Sequence, residues 1–218
     1  MSWNRRRWMG GLAAIVSAAP AAMAFAESAS SSPGTSALVA GVRSRLVAEP
    51  VLRGLFEQQK RVTGFRHPLV SRGDFLVLRD RGVFWHTREP FESTLVVSRD
   101  RLVSRRADGS IATQLDGRDE PAIRALNETL FALVSADLAA LTGRFVIEGT
   151  LAGAEGWSLD LRPRDAGLAR FVTRVGLTGD RFVRSVTLAE AQGDSSVIQF
   201  SQQVAASRAN ADELARFD

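Results

Sequence analysis

The sequence predicts a mainly β protein with a few helices: one curved, half-barrel antiparallel sheet of about ten strands, with helices laid across its concave face. Three observations lead there. From Val51 onward, short apolar segments are bounded by turn formers, mostly without helical patterns between them that would permit parallel pairing. Helical spacing is confined to two stretches, one before Val51 and one in the middle of the chain. Residues 71–93, SRGDFLVLRDRGVFWHTREPFES, then read as a β-hairpin, with two apolar runs flanking the turn Arg79-Asp80-Arg81-Gly82.

The first 26 residues are expected to be a cleaved signal peptide. Arg5-Arg6-Arg7 form a basic start, Met9 to Phe25 is uncharged and rich in Ala, and cleavage is expected after Ala26 or Ala24. The apolar stretch is too short and too rich in Ala for a good membrane span. Residues 27–35, ESASSSPGT, read as a Ser-rich linker. Ser36 can cap a helix to about Ala48 with Leu38, Val39, Val42 and Leu46 on one face, and Pro50 stops it.

Strands follow at residues 51–62, in the two arms of the hairpin, and at 93–98, 102–106 and 111–115. Gly64-Phe65 and Asp108-Gly109 mark turns, and Gly82 can supply the positive φ of a tight one. Pro90 ends the second arm because it cannot donate to a ladder. Asp119, Glu120 and Pro121 then suit a helix start, and Ile123, Leu126, Leu130, Phe131 and Val134 recur at helical spacing. Ser135 or Asp137 can cap a second short helix ending at Gly143. Strands resume from Phe145, with Trp157, Leu159 and Leu161 alternating against Ser158, Asp160 and Arg162, and continue at 170–177, 181–188 and 196–204. The domain is expected to span residues 36–204, and residues 205–218 read as a polar, frayed tail.

Composition excludes several functions. With no cysteine, neither a disulfide nor a thiolate nucleophile is available, and His67 and His86 are the only imidazoles. No metal site, cofactor or nucleotide-binding loop is expected. The formal charge of +4 falls to +1 without Arg5, Arg6 and Arg7, so nucleic acid is not an expected partner. An asymmetry survives: residues 60–106 hold 11 basic and 5 acidic side chains, and those after Arg106 hold 11 basic and 16 acidic. Such a patch either faces acidic lipids or an acidic partner, or is a solvated face. His86, Glu89 and Glu92, with Asp74 nearby, are the residues an acid–base enzyme would use. Strand alternation divides them, and no G-x-S-x-G elbow is present, so no catalytic residue is expected.

Phe56-Glu57-Gln58-Gln59, Gly73-Asp74-Phe75, Trp85, Pro90 and Ser93-Thr94-Leu95-Val96-Val97 resemble the opening of the LolA family of periplasmic lipoprotein carriers. The likeness runs through the inserted helices to the GWSLDL and IQFSQQ strands. It implies a twisted half-barrel with a helical lid over an apolar cavity. Cavity candidates are Phe75, Val77, Trp85, Leu95 and Val97 from the strands, with Ile123, Leu126, Leu130 and Phe131 from the lid. The same residues are equally consistent with a filled core. Arg79 falls where the family carries the Arg of an Arg-Pro turn that hydrogen-bonds lid carbonyls, and Asp80 replaces the Pro. Carbonyls near Ser135 or Gly143 are the expected acceptors for this latch.

The function implied is a monomeric periplasmic carrier. It would shelter the acyl chains of a lipoprotein or other lipid between an inner-membrane donor complex and an outer-membrane acceptor. The alternative is a periplasmic lipid- or protein-sensing module with the same fold.

Overall fold

Short turns between successive strands force neighbours to pair antiparallel, and an amphipathic strand needs a cover for its apolar face. The computed structural model of the protein describes residues 33–98, 101–116, 132 and 137–217. The first run of strands is β1 (Val51–Arg61), β2 (Leu69–Leu78), β3 (Gly82–Glu89), β4 (Ser93–Val97), β5 (Arg101–Arg106) and β6 (Ile111–Asp116). The second is β7 (Phe145–Ala152), β8 (Gly156–Pro163), β9 (Val172–Gly179), β10 (Val183–Glu190) and β11 (Ser195–Ala206). All eleven join one sheet in the order β6-β5-β4-β3-β2-β1-β11-β10-β9-β8-β7. The sheet is open, with β6 and β7 at its edges. Two meanders meet where β1 pairs with β11.

Strand alternation gives this sheet two different faces. On the inner face, Phe75, Val77, Val83, Val97, Phe145, Ile147, Leu159, Leu161, Val175 and Leu177 form the main core. Helix α1 (Pro33–Arg45) adds Leu38, Val39, Val42 and, just past its end, Leu46, while α2 (Leu138–Arg144) adds Leu138 and Leu141. Ala132 is buried in the same cluster. The outer face holds a smaller cluster of Val51, Leu76 and Leu78 with Phe84, covered by Leu214 and Phe217.

Several boundaries differ from expectation. Helix α1 begins at Pro33, so the end of the expected 27–35 linker is already helical, as the fixed φ of a Pro in a first turn allows. Asp137 is the cap of α2, accepting from the Ala140 N–H at 3.2 Å, and the helix ends at Arg144, one residue past Gly143. A four-residue helix, α3 (Ala166–Ala169), sits before β9 and is capped by Asp165. Residues 205–217 are not frayed. β11 runs to Ala206 and is followed by α4 (Ala211–Ala215), started by a reciprocal capping box between Asn210 and Glu213. Leu214 and Phe217 lie one helical turn apart and cover the outer cluster, and buried Glu213 pairs with Arg53 at 3.0 Å. Residues 1–26 and the helix predicted to carry Ile123, Leu126, Leu130 and Phe131 lie outside the described residues.

Candidate functional site

The strand candidates share one face. Phe75 sits opposite Trp85 and Trp85 opposite Leu95, while Val77 sits opposite Val83 and Val83 opposite Val97. These cross-strand pairs place all five on the inner face. Phe75, Val77 and Val97 are buried, and Trp85 and Leu95 are half-buried.

The register adds two aromatics from the strands next door. Phe56 on β1 and Phe200 on β11 are paired residues and join Phe75 and Trp85 in one cluster. Trp85 stacks on Phe56 with ring centroids 3.8 Å apart, and Phe200 meets Phe75 edge-on at 5.1 Å and Trp85 at 6.0 Å. Glycines opposite the rings make room. Gly73 faces Phe56, and a Cβ there would stand 1.8 Å from the His86 carbonyl oxygen and 2.9 Å from the Phe56 ring. Gly54 does the same for Phe75, where a Cβ would lie 2.9 Å from the ring. Sequence reasoning took Phe56 and the strand carrying Phe200 as marks of resemblance, not as site residues. Their inward direction depends on the β1–β11 pairing, which local alternation does not encode.

Arg79 sits just past the end of β2. Its Nε donates to the Glu49 carbonyl at 2.8 Å and its Nη2 to the Val47 carbonyl at 3.2 Å. Its backbone N–H also donates to the Pro50 carbonyl. The acceptors therefore lie in the connector from α1 to β1, whereas the sequence reading expected carbonyls near Ser135 or Gly143; Ser135 lies outside the described residues. The cause is register: Leu78 pairs with Val51, so the residue after β2 lies beside the residues before β1. The same connector is held from its other side, where the Val47 N–H donates to the Arg181 carbonyl at 2.9 Å.

That second contact belongs to the turn between β9 and β10, which is organised by Asp180. Its carboxylate accepts from the Phe182 N–H and from Arg184 Nε, each at 3.0 Å, and its carbonyl accepts from Trp157 Nε1. Burial pushes the Asp180 carboxyl upward, but the Phe182 N–H and the Arg184 guanidinium more than offset it and hold it below the ordinary range. At the last residue of α1, just before the connector, Arg45 donates to the Ala152, Gly153 and Gly156 carbonyls of the β7–β8 turn. The C-terminal end of α1 and the connector after it are thus tied to the sheet by arginines on carbonyls, Arg79 from the end of β2 and Arg45 to the β7–β8 turn.

The polar residues considered for catalysis lie on the outer face. His86 Nδ1 is 3.0 Å from Asp74 and Nε2 is 3.1 Å from Glu92, while Arg88 also reaches Asp74 at 2.8 Å. Glu89 does not join them and pairs with Arg72 at 3.5 Å. No group of three His, Cys, Asp or Glu among the described residues is placed to hold a metal. A groove of about 440 Å³ on this face is lined by charged groups from β1, β2 and α4, including Arg53, Asp74, Glu213 and Arg216. The aromatic cluster lies on the opposite side of the sheet.

A large open antiparallel sheet with helices over one apolar face is the architecture of lipid- and lipoprotein-binding carriers of the LolA type. Residues 50–216 match the family described as outer membrane lipoprotein carrier protein LolA, and the chain belongs to that family. Among solved structures, a LolA superfamily protein from Nitrosomonas europaea is 12% identical, with a TM-score of 0.47 over 84% of this chain and 96% of its own. A DUF1329 family protein from Desulfovibrio piger is 9% identical, with a TM-score of 0.46 over 80% of this chain and 92% of its own. MucB is 17% identical, with a TM-score of 0.37 over 84% of this chain and 62% of its own. No curated protein matches the chain. No helix among the described residues is long and apolar enough to cross a membrane.

Proposed function

We propose that the protein is a periplasmic carrier. It takes the acyl chains of a lipoprotein or another lipid from an inner-membrane donor complex, shelters them against the inner face of the sheet, and gives them to an outer-membrane acceptor. The observation that carries this reading is the Phe56, Phe75, Trp85 and Phe200 cluster, which continues through half-buried Trp85 and Leu95 to the buried Val97. Membership of a family described as lipoprotein carriers supports it. Each methylene moved from water into such a site gains about 0.8 kcal/mol, so a chain of roughly sixteen carbons gains on the order of 12 kcal/mol. The reaction needs no covalent step, and release requires only an acceptor that binds the chains as well.

Arg79 acts as the latch of this carrier, with the α1–β1 connector as the element it holds. Cargo entering beneath α1 displaces that helix, and the guanidinium sets how readily the connector follows. The carrier works as a monomer and reaches the periplasm by cleavage of its first 24 or 26 residues. N-terminal sequencing of the exported protein checks this.

The decisive experiment is binding of a fluorescent fatty acid by delipidated protein, paired with mass spectrometry of lipids that co-purify from the native periplasm. A carrier binds the probe, releases it to the co-purified lipid, and loses affinity in a Trp85→Ser variant. A folded, delipidated protein that binds no probe has a filled core on this face, and the carrier reading fails.

A further inference from the structure

In an antiparallel meander, alternate turns fall at opposite ends of the sheet. One end of this sheet collects the β1–β2, β3–β4, β5–β6 and β10–β11 turns together with residues 164–171 between β8 and β9. Three of these segments each hold out one phenylalanine: Phe65 is 65% exposed, Phe91 82% and Phe171 56%. Leu69 and Ile111, beside two of the same turns, are also exposed. The opposite end is built differently. Its turn aromatic, Phe182, is 9% exposed, sandwiched under Arg181 and Arg184. Isolated exposed apolar residues need no explanation, but aromatics gathered at one end of a sheet and tucked in at the other do.

The charged groups of the exposed end are sorted as well. Asp194 accepts from the Thr63 N–H, and Glu190 pairs with Lys60. Asp108 accepts from the Ser110 N–H and Asp165 from the Leu168 N–H, while Glu92 meets His86 and Glu89 meets Arg72. Each of these acids is thus engaged by a neighbouring N–H or cation, although Asp108, Asp165, Glu89 and Glu92 stay exposed. Arg61, Arg66 and Arg170 are exposed, and none meets a carboxylate among the described residues. The rim is also stiff. The β1–β2 turn is bonded to the β10–β11 turn through Asp194, and the latter to the Phe171 carbonyl through the Ala191 N–H at 3.1 Å.

We propose that this turn end, with Phe65, Phe91 and Phe171 as wedges and Arg61, Arg66 and Arg170 as phosphate contacts, docks the protein on an anionic phospholipid bilayer. Aromatic rings settle at the level of lipid head groups, and cations beside them add attraction to anionic lipids. At about 4.8 Å per strand, the arc from the β3–β4 turn to the start of β9 spans roughly 26 Å, which is a footprint for a surface and too wide for one small ligand. The aromatics are spaced along that arc instead of forming one contiguous patch, which fits insertion between head groups better than a packed protein interface. The proposal stands apart from the identity of the cargo, since none of these residues belongs to the inner-face cluster.

The absence of cysteine permits a site-specific test in the full chain. Single His67→Cys, Gln192→Cys and Glu155→Cys variants are labelled with an environment-sensitive fluorophore. Each is mixed with vesicles of phosphatidylethanolamine and phosphatidylglycerol, or of phosphatidylcholine alone. His67 and Gln192 lie in turns of the docking end, and Glu155 lies in the β7–β8 turn at the other end. The rim labels should shift to the blue on anionic vesicles and be quenched by brominated lipid, with the Glu155→Cys label unchanged. Replacing Phe65, Phe91 and Phe171 together by Ser should weaken this response about tenfold or more, and replacing Arg61, Arg66 and Arg170 by Gln should remove its dependence on anionic lipid and on salt. These exposed substitutions should leave the circular dichroism unchanged. Two results overturn the proposal: equal responses at both ends, as insertion of the apolar N-terminal segment alone would give, or a rim response that survives the triple Phe→Ser change.

Discussion

Arg79 holds two carbonyls of the α1–β1 connector with one guanidinium. Replacing it by Leu removes both bonds from an exposed site, so the expected loss of stability is small, about 1 kcal/mol. The larger expected effect is local. Hydrogen exchange at Val47 and Glu49 should accelerate, and transfer of bound lipid to an acceptor should change more than lipid binding does. Unchanged exchange and transfer would reduce Arg79 to an ordinary turn residue. Asp180 makes a second prediction at this scale. Its folded carboxyl lies below the ordinary range, so its stabilising effect is complete above the unfolded value and is lost as pH falls through the folded one. Thermal melts at falling pH should therefore show a steeper loss of stability in the native protein than in Asp180→Asn. The place of Arg79 just past the strand that carries Phe75 and Val77 was legible from the sequence. Its acceptors were not, because they follow from the pairing of Leu78 with Val51, a contact between strands that no local pattern records.

Elements were readable where turn chemistry and alternation agreed. Asp108-Gly109 separates β5 from β6, with Gly109 at a φ of 79°, and Gly64 turns the chain after β1 at a φ of 90°. The clean alternation of Trp157, Leu159 and Leu161 places all three in the core. Helix α4 was missed for a physical reason. Five residues are too few to show a helical period, and a helix that short has no stability of its own. It exists because Asn210 and Glu213 cap it reciprocally and because Leu214 and Phe217 find the outer cluster of Leu76, Leu78 and Phe84. Arg216 adds a cation over the Phe84 ring at 5.2 Å. Phe217→Ala should thus cost about 1–2 kcal/mol and loosen α4 alone. Limited proteolysis should cut near Asn210 in the variant before any strand is cut. Simultaneous cleavage throughout the chain would mean that α4 is integral to the sheet's cooperative unit.

At the scale of the molecule, the fold turns on a pairing between the two ends of the domain. β11 is the last strand in sequence, yet it lies in the middle of the sheet, bonded to β1 on one side and β10 on the other. It brings Phe200 into the aromatic cluster and Ile198 against the main core. A local reading of strands could count them but could not order them, since β1 and β11 are joined by nothing in sequence. Until β11 is in place, no backbone ladder joins the two meanders among the described residues, and β1 and β10 each lack a strand partner on one side. Truncation before Ser195 should therefore leave β1 and β10 as open edges beside a half-assembled core, and the product should lack a cooperative thermal transition. Truncation after Ala206, which removes only α4 and its flanks, should keep the transition and lower its midpoint. Circular dichroism melts of the two products decide the matter. A cooperative transition in the shorter product would show that the first meander folds without its central partner, and that the β1–β11 seam joins two independent halves.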